Sequence, residues 1–217
     1  MKVVEIFHSI DGEGIRAGEL ATFVRLAGCN LRCSYCDTVY AQENWQGSTM
    51  GVEEICACVD SIGCKNVTLT GGEPLLWAEA KTLIWGLSMR GYSVNVETNG
   101  SFDITDLVTL PNVIVTMDYK CPSSEVENAM RLENLEKLRE QDVLKFVVKA
   151  SDFPTVERVL GSYDIKAHVY LSPIFGQVEP NAIVDFMKRN MKKKGFANAR
   201  VQLQLHKYIW PVDMRGV

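Results

Sequence analysis

The sequence has no apolar run near the ~20 residues needed to cross a bilayer, so no transmembrane helix is expected. Met1 to Phe7 is too short for a secretory signal, and a cytoplasmic location is expected. There is no excess of positive charge. The formal net charge is −4, which gives no electrostatic case for nucleic acid. The main basic run, Lys188, Arg189, Lys192, Lys193 and Lys194, falls at a predicted helix end, where cations favour the negative end of the dipole. No linker, low-complexity segment or internal repeat breaks the chain, so its 217 residues are expected to form a single domain spanning 1–217. The seven cysteines are an odd number, and no second C-x2-C pair follows the first cysteine group.

That first group lies in Leu26 to Tyr40, LAGCNLRCSYCDTVY, which sets Cys29, Cys33 and Cys36 in the spacing C-x3-C-x2-C. Gly, Asn, Arg, Ser and Asp surround the thiols, so the stretch at 28–40 reads as a loop rather than a packed element. A disulfide would leave one thiol over and need an oxidising compartment. A structural zinc wants four ligands, usually as two spaced pairs, and would need Asp37 or a remote cysteine. Ferredoxin runs carry a fourth cysteine and other spacings. Three cysteines on a four-iron cube leave one iron open, and an open metal position marks a reactive site.

Along the chain, strands are predicted at Lys2 to His8, Ala21 to Ala27, Asn66 to Thr70, Ser93 to Glu97, Val113 to Met117, Leu144 to Val148, Ala167 to Leu171 and Arg200 to Leu205. Helices are predicted at Val52 to Ile62, capped by Ser48 or Thr49, and at Leu75 to Arg90. Others are predicted at Glu125 to Gln141, Pro154 to Leu160 and Asn181 to Met191. The alternation predicts βα units and a parallel sheet. The chain is shorter than the ~250 residues of a full eight-unit barrel, so the expected fold is α/β, an incomplete, open parallel βα barrel of about six strands. Trp77 and Trp85 are expected to pack. Cys56 is expected to face the core, with Cys58 nearer the boundary; spacing assigns no role to these two, to Cys64 or to Cys121.

Polar clusters follow the predicted strands: Gly71-Gly72-Glu73, Glu97-Thr98-Asn99, Asp118-Tyr119-Lys120 and Ser172-Pro173. In a parallel sheet these ends share one side and would converge around the cysteine loop. The Gly-Gly pair is expected to present backbone groups to a ligand. Arg25, in an otherwise apolar strand, needs an anion. Glu5, Asp11, Glu13 or a substrate carboxylate would each serve.

The cysteine spacing, with the aromatic Tyr35 before Cys36, and Gly71-Gly72-Glu73-Pro74 resemble the radical S-adenosylmethionine (radical SAM) enzymes. That resemblance implies a 4Fe–4S cluster on Cys29, Cys33 and Cys36, whose open iron binds S-adenosylmethionine, and a 5′-deoxyadenosyl radical made by one-electron transfer. It implies S-adenosylmethionine contacts from Tyr35, Cys36, Asp37, Gly72, Glu73, Asp118, Tyr119, Lys120, Ser172 and Pro173. A narrower similarity covers nearly the whole chain, through Ile10 to Gly14, Phe23 to Asn30, Cys36-Asp37-Thr38, Thr68 to Pro74, Glu97 to Gly100 and Gln204 to Lys207. These segments resemble the 7-carboxy-7-deazaguanine synthase family of queuosine biosynthesis. The family implies a carbon–nitrogen lyase that contracts 6-carboxy-5,6,7,8-tetrahydropterin with loss of ammonia. It implies substrate contacts from Ile10, Asp11, Gly12, Arg25, Thr70 and Val217, and Mg²⁺ on Thr38. It also implies an external electron donor such as flavodoxin or ferredoxin, and a homodimer, with no catalytic side chain beyond cluster and cosubstrate. Asp11 departs from the glutamine common in that family, which weakens a side-chain role there. The alternatives are a glycyl-radical-enzyme activase, which shares a turn like Asp11 to Arg16, and a non-catalytic metal-binding module.

Overall fold

In the computed structural model, which describes residues 1–42 and 47–217, nine strands form one sheet among the described residues. They are β1 (Lys2–Ile10), β2 (Leu20–Leu26), β3 (Ser48–Thr49), β4 (Asn66–Gly71), β5 (Ser93–Thr98), β6 (Val113–Tyr119), β7 (Val143–Val148), β8 (His168–Pro173) and β9 (Ala199–Val201). The order is β3-β1-β2-β4-β5-β6-β7-β8-β9, open at both ends. Every pair from β2 to β9 is parallel. Six of these strands are full length, and β9 adds three residues, so the open barrel expected from the sequence is what forms.

The edge is not parallel. β1 runs antiparallel to β2, because residues 11–19 join them without a helix and so short a link returns the chain alongside itself. Ser48 and Thr49 do not cap a helix. They pair with Val3 and Lys2. Helix α2 (Val52–Ile62) starts instead at Gly51, whose N–H donates to Glu54 Oε2 at 2.7 Å; α1 is the short Val39–Gln42 turn after the cysteine loop.

Each parallel strand alternates sharply. Val67, Leu69, Val94, Val96, Val115, Met117, Leu144 and Phe146 turn outward into the core. There they meet Ile55 and Val59 of α2, and Leu83, Ile84 and Leu87 of α3 (Ala80–Met89). Val156 and Val159 of α4 (Phe153–Ser162) and Ile183 and Phe186 of α5 (Pro180–Asn190) complete that layer. The other phase is polar: Thr68, Thr70, Asn95, Glu97, Thr116, Asp118 and Lys145. A period of two with a polar interior makes a barrel that cannot fill itself with apolar side chains, and a cavity results. Its lower end is plugged by the loop after β1. Arg16, 7% exposed, pairs with Asp11 at 3.0 Å and donates to Thr68 Oγ1 at 2.8 Å and to the carbonyl of Ser93 at 2.9 Å.

Three predicted elements differ. The helix expected over Glu125 to Gln141 is a run of 3₁₀ turns. Glu125 takes a left-handed φ of 65°. Asn134, fully buried, donates to the carbonyls of Phe102 at 2.7 Å and Gly100 at 3.2 Å, and Arg139 donates to those of Val108 and Val113, each at 2.7 Å. Polar side chains that pattern alone assigns to a solvated helix face are spent on neighbouring backbone. Replacing Asn134 by alanine strands those groups, and chemical denaturation is expected to show a loss of about 2–3 kcal/mol. The helix expected from Leu75 begins only at Ala80, because Glu73 and the Trp77 indole, which donates to the Ala27 carbonyl at 2.7 Å, hold 74–76 as a separate turn. Trp85, expected to pack, is 54% exposed. The last strand stops at Val201 because the Gln202 amide is bonded on both sides to the Gly14 backbone, at 2.7 and 2.9 Å; His206–Ile209 then forms helix α6. Cys56 is buried and Cys58 lies at the boundary, as expected. Among the described residues no helix is long and apolar enough to cross a membrane.

Candidate active site

The C-terminal ends of the parallel strands open into a cavity of about 430 Å³. Cys29, Cys33 and Cys36 stand in one wall, and all three are free thiols. The loop that carries them packs directly on the end of β4. Gly72 N–H donates to the Leu26 carbonyl at 3.1 Å, and Glu73 N–H donates to the Gly28 carbonyl at 2.8 Å. These N–H groups are therefore used within the chain rather than offered to a ligand. A Cβ on Gly72 would stand 2.4 Å from the Gly28 oxygen and 2.8 Å from Cys29 Cβ, so only glycine lets the strand end and the loop touch. Gly72→Ala is expected to push the loop off its seat, costing about 1–3 kcal/mol and leaving purified protein short of iron after reconstitution. Full iron content at wild-type stability would show that the seat is dispensable.

Glu73 lies behind this wall, fully buried. Its carboxylate accepts from Leu75 N–H at 3.0 Å, Thr98 Oγ1 at 2.9 Å and Asn99 N–H at 2.7 Å. It fastens the β4 and β5 ends together and does not line the cavity. Tyr119, Ser172 and Pro173 are likewise buried outside it; Tyr119 donates to Glu127 at 3.0 Å and packs on Phe146. Asp11 is turned down toward Arg16 and Thr68, away from the cavity, in keeping with its departure from the family pattern. The other sequence-predicted residues converge. Ile10, Gly12, Arg25, Tyr35, Asp37, Thr38, Thr70, Gly72, Asp118, Lys120 and Val217 all line the cavity with the cysteines.

The thiols suit a cluster. Cys29 Sγ accepts from Leu31 N–H at 3.4 Å and Asn99 Nδ2 at 3.8 Å, and Cys36 Sγ accepts from Thr38 N–H at 3.4 Å. Such bonds favour the thiolate. Burial pushes all three thiols up, so without a metal they hold their protons. No group of three or more His, Cys, Asp or Glu among the described residues is gathered tightly enough for a single ion. A cube of irons takes each thiolate on a different metal atom, so its ligands need not meet at one point. Lys120, buried beside Asp118 at 2.8 Å, stays charged. Burial opposes its charge, and Asp118 outweighs burial.

Arg25 has the first of the anionic partners that the sequence offered it. Its Nε donates to Glu5 Oε1 at 2.7 Å, and Tyr40 donates to the same oxygen at 2.8 Å. The guanidinium lies 5.8 Å from the Phe7 ring and 5.9 Å from the Tyr40 ring. Its two terminal nitrogens have no hydrogen-bond partner among the described residues, and the residue faces the cavity. Glu5 therefore orients the arginine without consuming it.

Several lining residues escaped sequence reasoning. Lys145 could have been flagged by the logic applied to Arg25, a cation in an apolar strand. Glu97, which accepts from Thr70 Oγ1 at 2.8 Å, stands at a strand end already marked as polar. Residues 211–216, ahead of the expected Val217, also line the cavity, with Lys207 paired to Asp37 at 2.8 Å and Arg215 4.0 Å over the Tyr40 ring. No local signal marked that tail.

Residues 24–152 match the model of the radical SAM superfamily. The chain is 43% identical to a 7-carboxy-7-deazaguanine synthase of Clostridium acetobutylicum, covering 100% of this chain and 99% of that protein. This chain is one of the 7-carboxy-7-deazaguanine synthases, within the radical SAM superfamily. A synthase of the same name from Methanospirillum hungatei is 40% identical over 96% of this chain and 85% of that protein. The fold is similar to the crystal structure of QueE from Escherichia coli, with TM-score 0.72, 22% identity and 94% of each chain covered. A synthase of this family is an enzyme whose chemistry needs a 4Fe–4S cluster and S-adenosylmethionine, and the cysteine wall fits that need.

Proposed function

We propose that the chain converts 6-carboxy-5,6,7,8-tetrahydropterin to 7-carboxy-7-deazaguanine with loss of ammonia, on the route to queuosine. The observation that carries this reading is two unlike features in one cavity: three free thiols on one wall, and an oriented arginine with two unclaimed nitrogens. Cys29, Cys33 and Cys36 would hold the cluster, which with S-adenosylmethionine would supply the radical chemistry that ring contraction needs. The chain's own residues bind and orient. Tyr35, Cys36, Asp37, Gly72, Asp118 and Lys120 form the wall for S-adenosylmethionine, and Glu73, Tyr119, Ser172 and Pro173 support that wall from behind. Arg25 takes the substrate carboxylate through the paired geometry that guanidinium offers. Ile10, Gly12, Thr70 and the Val217 carboxylate enclose the ring.

Thr38 Oγ1 donates to Asp37 Oδ1 at 3.0 Å, which leaves its lone pairs for a cation. Mg²⁺ takes oxygen ligands and keeps positions for water and substrate oxygens, so Thr38 is its proposed protein ligand. A flavodoxin or ferredoxin as electron donor, a homodimer and a cytoplasmic location belong to the same reading.

The test is anaerobic reconstitution with iron and sulfide, then reductant, S-adenosylmethionine and the carboxypterin, with products followed by mass. A product lighter than substrate by one ammonia is the expected result. Formation of 5′-deoxyadenosine with the pterin untouched would keep the radical chemistry and move the substrate elsewhere, toward the activase alternative. No cluster and no cleavage would return the cysteines to a structural metal.

A further inference from the structure

One ion pair in the cavity has no part in the assignments above. Glu13 stands on the loop after β1, and Lys145 stands on β7, four strands from β2 and Arg25 in the sheet order. Lys145 Nζ lies 2.9 Å from Glu13 Oε2 and 3.8 Å from Asp118 Oδ2. Glu13 and Lys145 are each 10% exposed, and both line the cavity. Burial by itself would raise the Glu13 carboxyl; the adjacent Lys145 outweighs it and holds the group below the usual carboxylate range. The second oxygen, Oε1, is buried and has no partner among the described residues. A buried charged oxygen without a donor is expensive, and a donor on a molecule in the cavity, which His206 also lines, would relieve that cost. Glu97, the neighbouring carboxylate, already accepts from Thr70.

The carboxypterin has two unlike ends. Its carboxylate suits Arg25. Its far edge, a 2-amino-4-oxopyrimidine, presents two adjacent N–H donors, which suit a carboxylate and repel a cation. We propose that Glu13, steered by Lys145, accepts hydrogen bonds from the 2-amino group and the neighbouring ring N–H, and so sets the enzyme's specificity for an aminopyrimidinone ring. The assignment rests on the pterin reading above. Oε2 stays on Lys145 and Oε1 meets the ring. A ring with oxygen in place of the 2-amino group keeps the ring N–H but sets an acceptor beside that carboxylate oxygen, so one hydrogen bond is lost and a repulsion takes its place.

The experiment compares 6-carboxytetrahydropterin with its 2-oxo counterpart, the 6-carboxytetrahydrolumazine, on reconstituted wild type and Glu13→Gln. Wild type is expected to favour the pterin in kcat/KM by more than about 100-fold, since sites built around a substrate N–H reject analogues lacking it by large factors. In Glu13→Gln, whose amide can both donate and accept, that ratio is expected to fall by at least tenfold. A merely structural role would lower both substrates together and leave the ratio unchanged, which would overturn the assignment. So would a shift confined to the KM for S-adenosylmethionine, or loss of discrimination in Glu97→Gln instead. Near-equal use of both rings by wild type overturns it whether or not the variant folds. Failure of wild type to convert the pterin at all refutes the parent reading, and this assignment falls with it.

Discussion

Arg25→Ala is expected to lower kcat/KM for the carboxypterin by about 10²–10³-fold, mainly through KM, while iron content and melting temperature stay near wild type. Hydrogen bonds to charged groups are each worth ~1.5–3 kcal/mol, and two are lost. A combined loss of about 3–4 kcal/mol corresponds to that factor, since each ~1.4 kcal/mol is tenfold. The fold should tolerate the change because Arg25 is half-buried at a cavity wall and its one internal partner, Glu5, is 20% exposed with Tyr40 still donating to it. Arg25→Lys is not expected to rescue. A single ammonium would be drawn to Glu5 and would leave no second donor for a carboxylate. A neutral 6-carboxamide analogue gives the coupling directly. Wild type should lose on the amide most of what the variant loses on the acid, and the variant should lose little more. If Arg25→Ala and wild type handle acid and amide with the same preference, the arginine is only the salt-bridge partner of Glu5.

The same residue shows where sequence reasoning reached its limit. A lone arginine in Ala21 to Ala27 demanded an anion, and a structural acid and a substrate carboxylate were both open. Geometry supplies the acid, Glu5, and leaves the terminal nitrogens toward the cavity, where the proposed substrate carboxylate would meet them. Local rules read the strands well. Thr68-Leu69-Thr70 and Ser93 to Thr98 carry the period of two in β-branched residues, and the registers of neighbouring strands bring their polar ends level. They failed where long-range polar bonds override pattern. Asn134 and Arg139 look like a helix's wet face until Phe102, Val108 and Val113, far back in the chain, present the carbonyls that they bind. Gln202 ends its strand for a partner 188 residues away. The GGEP stretch was legible as a motif, but not the contacts that its members make within the chain. Gly72 makes room for the cysteine loop, Gly71 for the backbone of Leu26 at the end of β2, and the glutamate ties two strand ends together. Glu73 marks the site without facing it.

Cys33→Ala should abolish product formation altogether, together with cleavage of S-adenosylmethionine and the thiolate-to-iron absorbance, in protein that remains folded. The seven cysteines divide sharply by environment. Cys56 and Cys121 are fully buried, and burial pushes Cys121 far up as a thiol, so both behave as small apolar residues. Cys33 is part-exposed in the cavity wall, among charges from Lys120 and Asp118, and no hydrogen bond of the described chain is made to its sulfur. Losing it forfeits few contacts, so the expected stability change is below about 1 kcal/mol, as for a surface substitution. Losing it as a ligand leaves two thiolates for four irons, too few to hold the cube. Cys121→Ala supplies the contrast. It opens a small hole in the core and is expected to lower stability by about 1 kcal/mol, with iron and turnover intact. Iron counting and product mass on both variants decide the matter. Should Cys33→Ala keep its iron and its turnover while Cys121→Ala loses both, the metal would belong elsewhere in the chain. The cavity would then have to be explained without it.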